Sequence, residues 1–206
     1  MRIKTGGLSD VKQADINVLP FGYTDEIDYE KELDGESGVL VGLGHISKKN
    51  GGITLVGAPT DNHGLKKLSV IMFENGKLIS IFDLNEGAKY SPSFGVGSFS
   101  SGGVKCGVLV GADLFDCDNV KALSVCGCAL IIDLYPDLLN ENVINATNFY
   151  AYSFGIDCIS ICRDKVVASL AGGKKNQPSA VTDGVVFDMP CKRIYRDAKI
   201  KKAGCR

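Results

Sequence analysis

The segment 104–115 (VKCGVLVGADLF) constrains the fold most, because it combines a buried strand, a tight turn and the start of a helix. Residues 104–110 are mostly apolar, which is typical of a strand covered on both faces. Gly111 opens a turn of small residues, and aspartates then supply N-cap candidates for a helix over 116–123. A strand, turn and helix start in this order direct backbone N–H groups at one place, as a reactive centre requires.

Alternation of strands and helices continues after this segment. A short apolar strand is predicted over 128–133, and Gly127 marks the turn before it. The helix between the two strands indicates a βαβ unit, hence a parallel pair with a right-handed crossover. A further helix over 145–154 and a strand over 157–162 repeat the step. The pattern predicts the α/β class.

The first half of the chain predicts strands joined by tight turns. Residues 15–21 and 53–57 are apolar runs that end in Phe21 and Gly57. Residues 68–77 (LSVIMFENGK) contain Asn75-Gly76, a pair that suits the type I′ turn of a hairpin.

The order of these segments resembles the carbon–nitrogen hydrolase family, also called the nitrilase superfamily. That family has a strand ending in proline-glutamate, a hairpin, a lysine after it, a strand of the type GVLICYD and a helix reading RAIEN. The corresponding segments here are DINVLPF (15–21), ITLVG (53–57) with LSVIMFENGK (68–77), GVLVGAD (107–113) and YAYSFG (150–155). The resemblance implies a nitrilase-like α-β-β-α sandwich with mixed sheets, forming one domain over residues 1–190.

The residues that carry the family's chemistry are replaced. Its general-base glutamate falls on Phe21, its lysine near Asp83 or Leu84, its nucleophilic cysteine on Gly111 and a helix glutamate on Ser153. A cysteine nucleophile acts as a thiolate and needs a base and a cation beside it. The resemblance therefore implies a scaffold that does not hydrolyse amides or nitriles by the family's route.

Two functions remain open from the sequence. The first is a non-catalytic protein that binds a small amide or carboxylate ligand in the former pocket, or acts by assembly. The alternative is a C–N hydrolase with a relocated nucleophile, either Cys117 near a helix start or Ser153, together with Asp113. Asp113 is predicted to be structural, capping the turn or accepting from a backbone donor.

The eight cysteines do not suggest a metal or cofactor site. Cys126-Gly127-Cys128 lacks the usual zinc spacing, and both histidines, His45 and His63, lie in early segments. We expect no metal and no cofactor. Two thiols, in the basic tail, are predicted to be solvated: Cys191 and Cys205. Five others are predicted to be small buried hydrophobes: Cys106, Cys126, Cys128, Cys158 and Cys162.

The N-terminal part of the chain is short for the family. Only residues 1–13 precede the strand that matches its proline-glutamate strand, and 1–5 predict a residual strand. The N-terminal layer of the sandwich is therefore expected to be reduced, which exposes an apolar sheet face unless another subunit covers it. This favours a homo-oligomer, most simply a dimer.

Charge is unevenly distributed although the net charge is −1. The tail 191–206 holds seven bases and one acid, whereas 25–36 holds seven acids and one lysine. The tail either docks on an acidic surface of its own chain or a neighbour, or is solvated. Nucleic-acid binding is not favoured, because Tyr195 is the tail's single aromatic residue.

The hydropathy pattern predicts no membrane segment. The longest apolar window, 122–132, is well short of the ~20 residues that span a bilayer. The residues after Met1 lack the apolar stretch of a signal peptide. These features predict a cytoplasmic protein.

Overall fold

The computed structural model describes residues 1–5, 14–85, 96–172, 174–175, 179–180 and 185–193. Its strands are β1 (Arg2–Thr5), β2 (Ile16–Leu19), β3 (Ile27–Asp28), β4 (Ile53–Asn62), β5 (Leu65–Glu74), β6 (Lys77–Asp83), β7 (Gly97–Ser101), β8 (Val104–Val110), β9 (Leu130–Leu134), β10 (Asp157–Ile161), β11 (Lys165–Leu170), β12 (Lys174–Lys175), β13 (Ser179–Ala180) and β14 (Val185–Asp188). Its helices are α1 (Tyr29–Leu33), α2 (Val39–Asn50), α3 (Cys117–Val125) and α4 (Glu141–Phe154), with a 3₁₀ turn at Gly111–Phe115. Most of the basic tail, including Cys205, lies outside the described residues.

Two mixed sheets organise these elements. Sheet A has the order β14-β1-β2-β4-β5-β6, with β3 beside β4. Sheet B has the order β12-β11-β10-β9-β8-β7, with β13 beside β11. Parallel pairs join β1 to β2, β2 to β4, β8 to β9 and β9 to β10, whereas β4, β5 and β6 pair antiparallel. The predicted α/β class with mixed sheets is confirmed.

Each sheet has one face toward the other sheet and one face toward helices. On β8, Val108 and Val110 enter the cluster between the sheets, while Leu109 enters a separate cluster with residues of α3 and α4. A third cluster, which includes Val56 and Ile71, packs against α2. The alternation of side chains along the strands thus builds four layers, the expected α-β-β-α sandwich.

The βαβ steps lie where the sequence predicts them, with shifted boundaries. The first helix, α3, begins after Asp116, whose carboxylate accepts from the N–H of Asp118. The second, α4, begins four residues before the predicted position 145. Asn140 caps it by accepting from two backbone N–H groups of its first turn. The helix boundary follows this cap.

Two tight hairpins build the middle of sheet A. The turn between β5 and β6 has positive φ at both central residues, Asn75 at 50° and Gly76 at 85°, as a type I′ turn requires. The predicted hairpin is therefore confirmed. A second turn of the same kind, His63-Gly64, joins β4 to β5, because β4 continues to Asn62, well beyond the predicted end at 57.

The sequence analysis missed the helices α1 and α2, which cover sheet A. Asp28 caps α1 through its carboxylate, and Glu32 accepts hydrogen bonds from the N–H groups of Val39 and Leu40 at the start of α2. Gly42 and Gly44 lower the helix propensity of α2, which hid it from pattern analysis. These caps give the acidic segment a structural role.

The prediction that the N-terminal layer is reduced falls on residues 6–13, which lie outside the described residues. Helix α2 packs on the outer face of sheet A and buries Val56 and Ile71, so the apolar face that was expected to be exposed is covered there by the chain's own helix. Two backbone hydrogen bonds between Met1 and Met189 hold the N-terminus. None of the helices described is long and apolar enough to cross a bilayer.

Close packing of α3 on sheet B depends on Gly107 in β8. A Cβ at this position would stand 2.7 Å from Leu123 Cδ1, in the buried cluster. We expect Gly107→Ala to lower the free energy of unfolding by about 1–3 kcal/mol, measured by urea denaturation.

The matched control is Gly42→Ala in α2, where a Cβ would meet no atom within 4 Å. We expect it to raise the free energy of unfolding by about 0.5–1 kcal/mol, because alanine favours a helix. Similar losses in both variants would contradict close packing at Gly107.

Candidate functional site

Gly111 occupies a sharp strand-to-helix turn at the end of β8. Its φ is 57°, in the left-handed region that side chains other than glycine adopt at a cost. The 3₁₀ turn and α3 follow directly. The backbone thus forms an elbow of the type that presents a nucleophile, but its first residue has no side chain.

Carbon atoms fill the space in front of the elbow. A Cβ on Gly111 would stand 3.0 Å from Pro136 Cδ and 3.9 Å from Leu68 Cδ2. Leu68 is buried and belongs to the same cluster between the sheets as Val110. A polar group bound at this point would lose its hydration without gaining a partner from these residues.

Phe21 extends this apolar filling. It follows β2, is 4% exposed and belongs to the cluster that contains Leu68. Its ring lies on Gly57, where a Cβ would be 2.9 Å from Phe21 Cδ2. An aromatic ring therefore occupies the position that the resemblance assigns to a general base.

The structure turns Asp83 away from the elbow. Asp83 accepts hydrogen bonds from Lys67 Nζ and Ser69 Oγ, both at 2.7 Å, on the helix side of sheet A. Leu68 alternates with Ser69, so it points to the opposite face, toward Gly111. The inward position after β6 belongs to Leu84, which is buried between the sheets. Of the two positions named for the family's lysine, Leu84 is the one that faces the core.

Asp113 has the structural partner expected from the sequence. Its carboxylate accepts from the N–H of Asn85 at 3.0 Å, and its carbonyl accepts from the side chain of Asn119 at 3.5 Å. These contacts tie the end of sheet A to the elbow of sheet B.

A carboxyl group that the sequence analysis missed lies beneath the elbow. Asp133, in β9, is fully buried, and within the described residues neither carboxyl oxygen has a hydrogen bond of normal geometry. Burial raises the pKa of Asp133 well above its usual value, and the charge of Asp113 adds to the effect. The backbone N–H of Gly111 opposes the rise in pKa without overcoming it.

The hydroxyl groups beside Asp133 favour its neutral form. Thr147 Oγ1 donates to the carbonyl of Val143 at 2.7 Å, so it must accept from Ser160 Oγ, which lies 2.8 Å away. The single Ser160 proton is then committed, and its oxygen is left to accept. Only a protonated Asp133 has a hydrogen to donate to it.

Of the two candidate substitute nucleophiles, Ser153 does not lie at the elbow. Ser153 is exposed near the end of α4, which leads into the start of β10, whereas Gly111 follows the end of β8. Because β8 and β10 both run parallel to β9, these ends lie on opposite edges of sheet B. Grouping Ser153 with Gly111 and Phe21 around one pocket was therefore wrong.

Cys117 is exposed at the first residue of α3, the helix start where it was predicted. No hydrogen bond joins it to a base within the described part of the chain. The Asp113 carboxylate accepts from the backbone N–H of Asn85, as described above.

The other cysteines divide by burial. Cys126 ends α3 and is exposed, so its predicted burial was wrong, because the chain leaves the helix at this point. Cys191 is half-buried, and burial raises its pKa to about 11, which corrects its prediction as a solvated thiol. Burial raises the pKa of Cys106 to about 12. Four cysteines are buried as predicted: Cys106, Cys128, Cys158 and Cys162.

The residues described contain no group of three or more side chains suited to hold a metal ion.

Comparison with known proteins shows which solved structures share this fold. No family model matches the sequence, and no curated protein matches it. Solved structures of nitrilase-superfamily amidases do match, so the chain has the nitrilase-superfamily fold, and the predicted resemblance is confirmed at that level.

Three of the matching structures are amidases from Nesterenkonia. A cysteine-to-alanine mutant of the AN1 amidase superposes with a TM-score of 0.73 at 15% identity, covering 92% of this chain and 90% of its own. The amidase of Nesterenkonia sp. superposes with a TM-score of 0.71 at 16% identity, covering 93% and 90%. A third structure, a glutamate-to-glutamine mutant with a TM-score of 0.70 at 14% identity and coverage of 90% and 88%, carries an acetamide moiety on its active-site cysteine.

The buried Asp133 makes stability depend on pH. Its folded-state pKa lies above the ~3.9 of an unfolded chain, so between the two values the folded chain holds a proton that the unfolded chain lacks. The stability linked to this proton is complete below about pH 4 and is lost as the pH rises toward the folded-state pKa.

We expect Asp133→Asn to be more stable than the native chain, by an amount that grows from about pH 4 upward and reaches about 1–3 kcal/mol. The neutral amide keeps the shape and donates to Ser160 at every pH. Urea denaturation over a pH series measures the difference. A difference that does not change with pH would contradict the buried carboxyl as its source.

Proposed function

We propose that this chain is a nitrilase-like protein without catalytic activity by the family's cysteine mechanism, and that it acts by assembly or ligand binding. It comprises one domain over 1–190 with a basic tail over 191–206. The observation that carries the proposal is the apolar filling of the elbow at Gly111 by Pro136 and Leu68, with Phe21 in the same buried cluster as Leu68.

Three groups needed for amide hydrolysis are missing, which is the chemical reason for proposing an inactive protein. Acyl transfer from an amide needs a nucleophile, a base to take its proton and a cation or donor for the developing oxyanion. Gly111 offers no nucleophile, Phe21 no base and Leu84 no cation. Restoring one of the three leaves the other two absent.

Hydrolysis assays test this proposal. We expect the native chain to release no ammonia from small aliphatic amides or nitriles. We expect Gly111→Cys to remain inactive as well, because its thiol has neither base nor cation beside it and adopts a strained φ. An active superfamily amidase assayed in parallel is the positive control. Hydrolysis by the native chain would contradict the proposal.

The alternative is a C–N hydrolase that uses Cys117, or Ser153, with Asp113. No contact among the described residues favours it, since Cys117 is exposed without a bonded base and Ser153 lies at the other edge of the sheet. Amide hydrolysis that disappears in Cys117→Ser would establish this alternative and replace the first proposal.

Ligand binding has weaker support than assembly. A small amide in the former pocket would have to displace the buried ring of Phe21. One cation near this end of the molecule is Arg163, whose side chain lies beside the turn at Gly22 and is exposed to solvent. A carboxylate is therefore the ligand class that suits this edge.

We infer that assembly takes the form of a homodimer through α4. Phe149 and Tyr152, three residues apart on this helix, are 58% and 52% exposed. Residues at this spacing lie on one face of a helix, so the two rings form one apolar surface above sheet B. Large exposed aromatic side chains of this kind are enriched at protein interfaces. A second copy of α4 offers the matching surface.

Sedimentation tests the dimer. We expect the native chain to sediment as a dimer and Phe149→Glu as a monomer, because the substitution buries a charge in the interface. The matched control is Leu65→Glu on sheet A, where Leu65 is 55% exposed, and we expect it to stay dimeric. About 0.5 M salt screens contacts that depend on charge alone. A monomeric native chain, or a dimeric Phe149→Glu, would contradict the α4 interface.

A further inference from the structure

Two cysteine side chains face the core between the two sheets. Cys106, in β8, is buried in the cluster between the sheets, and Cys191, which follows β14, packs against that cluster. Of the other described cysteines, three belong to the cluster under α3 and α4, and two are exposed at the ends of α3. Cys106 and Cys191 are therefore the one pair of described thiols that shares the space between the sheets.

The segment that carries Cys191 crosses from sheet A to sheet B. Met189 is joined by two backbone hydrogen bonds to Met1, next to β1 in sheet A. The N–H of Cys191 donates to Asp157 Oδ2, in β10 of sheet B, at 2.8 Å. Met189 is buried and Cys191 is half-buried, whereas Pro190 between them is exposed. The side chains of Met189 and Cys191 therefore both point into the core.

A row of paired residues across sheet B lies under this segment. Cys106 pairs with Leu130, which in turn pairs with Asp157. Paired residues of parallel strands point to the same face, so Cys106 and Asp157 both point toward sheet A, about two strand spacings apart. Cys191 lies over the Asp157 end of the row. Met1 lies over the other end, since its Sδ is 3.8 Å from Cys106 Sγ.

The backbone at Cys191 is strained. Its φ is 53°, in the left-handed region that a cysteine adopts at a cost. Asp157 holds this conformation, because its carboxylate is 1% exposed and is fixed by a second hydrogen bond, from the N–H of Ala171 at 2.7 Å. Turning φ back to the negative range releases the strain and redirects the Cys191 side chain. This change is the one available for bringing the Cα atoms of the two cysteines within the roughly 4.4–6.8 Å that a disulfide requires.

The environment of the two thiols suits a lasting cross-link better than a fast redox sensor. Burial raises the pKa of Cys106 to about 12, and the nearby Cys191 adds to the rise. Burial also raises the pKa of Cys191 to about 11. Low thiolate populations make oxidation slow. A disulfide is easily reduced where the protein stabilises the thiolates that reduction releases, and here it stabilises neither.

We propose that Cys106 and Cys191 form an intramolecular disulfide under oxidising conditions, which fastens the segment after β14 to β8. The bond ties sheet A to sheet B and closes a loop of about 85 residues. It lies toward the starts of β9 and β10, whereas the elbow follows the other end of β8. The disulfide involves neither the elbow nor α4, so it is independent of the proposed function.

A peroxide is the oxidant that this chemistry requires. The Cys191 thiolate attacks one oxygen of hydrogen peroxide, the O–O bond breaks, and the hydroxide that leaves takes up the thiol proton as water. The product is a sulfenic acid on Cys191. The Cys106 sulfur then attacks the Cys191 sulfur, the S–O bond breaks, and the hydroxyl group leaves with the Cys106 proton as a second water. Cys191 reacts first because it is half-buried, whereas Cys106 is fully buried.

Peptide mapping of the peroxide-treated full-length chain tests the proposal. Cleavage before aspartate and after lysine or arginine leaves Cys106 in CGVLVGA (106–112), apart from Cys117, and leaves Cys191 in DMPCK (188–192). Without reductant, we expect these two peptides joined, with the loss of two hydrogen atoms, and separated again by reduction. Linkage of Cys191 to another cysteine, or oxidation of both peptides without linkage, would overturn the proposal.

Two variants assign the roles of the thiols. In Cys106→Ala the sulfenic acid on Cys191 has no thiol to resolve it, so we expect dimedone, which traps sulfenic acids, to label Cys191 at least about tenfold more than in the native chain. Cys117→Ser, on α3, is the matched control and is expected to retain the joined peptides. Equal labelling of Cys191 in Cys106→Ala and in the native chain would contradict resolution by Cys106. Circular dichroism of each variant confirms that the fold is retained.

The pH dependence of the reaction identifies the attacking thiol without a substitution. We expect the rate of disulfide formation to rise about tenfold per pH unit from about pH 7 to about pH 9, because the thiolate fraction rises tenfold per unit well below a pKa of about 11. A rate that levels off within this range would show that a thiol of lower pKa reacts first, which contradicts initial attack by Cys191.

Urea denaturation tests whether the bond fastens the two sheets. We expect the midpoint of the oxidised native chain to exceed that of the reduced chain by about 1 M or more, because the cross-link restricts the unfolded chain. Cys191→Ser, treated with peroxide in the same way, is the control and is expected to show no rise. An unchanged midpoint in the native chain, or the same rise in both proteins, would rule out this fastening role.

Discussion

The apolar contact between the two sheets is the constraint on which the rest of the structure depends. Val108 and Val110 of β8 share one buried cluster with Leu55 and Val70 of sheet A. Because β8 also packs on its other face against α3 and α4, its end cannot move independently of the sandwich. The elbow at Gly111 is therefore held by packing on both sides of one strand, and its backbone geometry does not need a reacting group to maintain it.

This separation of geometry from chemistry explains how the elbow persists without a nucleophile. A positive φ at the end of β8 is compatible with glycine at little cost, whereas a side chain there adds strain. Phe21 at the base position buries a large apolar area without adding a charge that needs a partner. Asp133 shows the contrast, since a carboxyl group kept in the same region without ion pairing is driven toward its neutral form.

Pattern analysis predicted the parts of the fold that depend on local periodicity. The strand at 104–110 and the parallel steps after it follow from apolar runs and turns, and the I′ turn follows from Asn75-Gly76. Helix α2 was missed because its start depends on Glu32, seven residues before Val39, which no local capping pattern reveals. Asp133 was missed because a carboxylate at the end of an apolar strand is indistinguishable from a strand terminus until the burial of both faces is known. Ser153 was misplaced because sequence order alone does not give the edge of the sheet at which a helix ends.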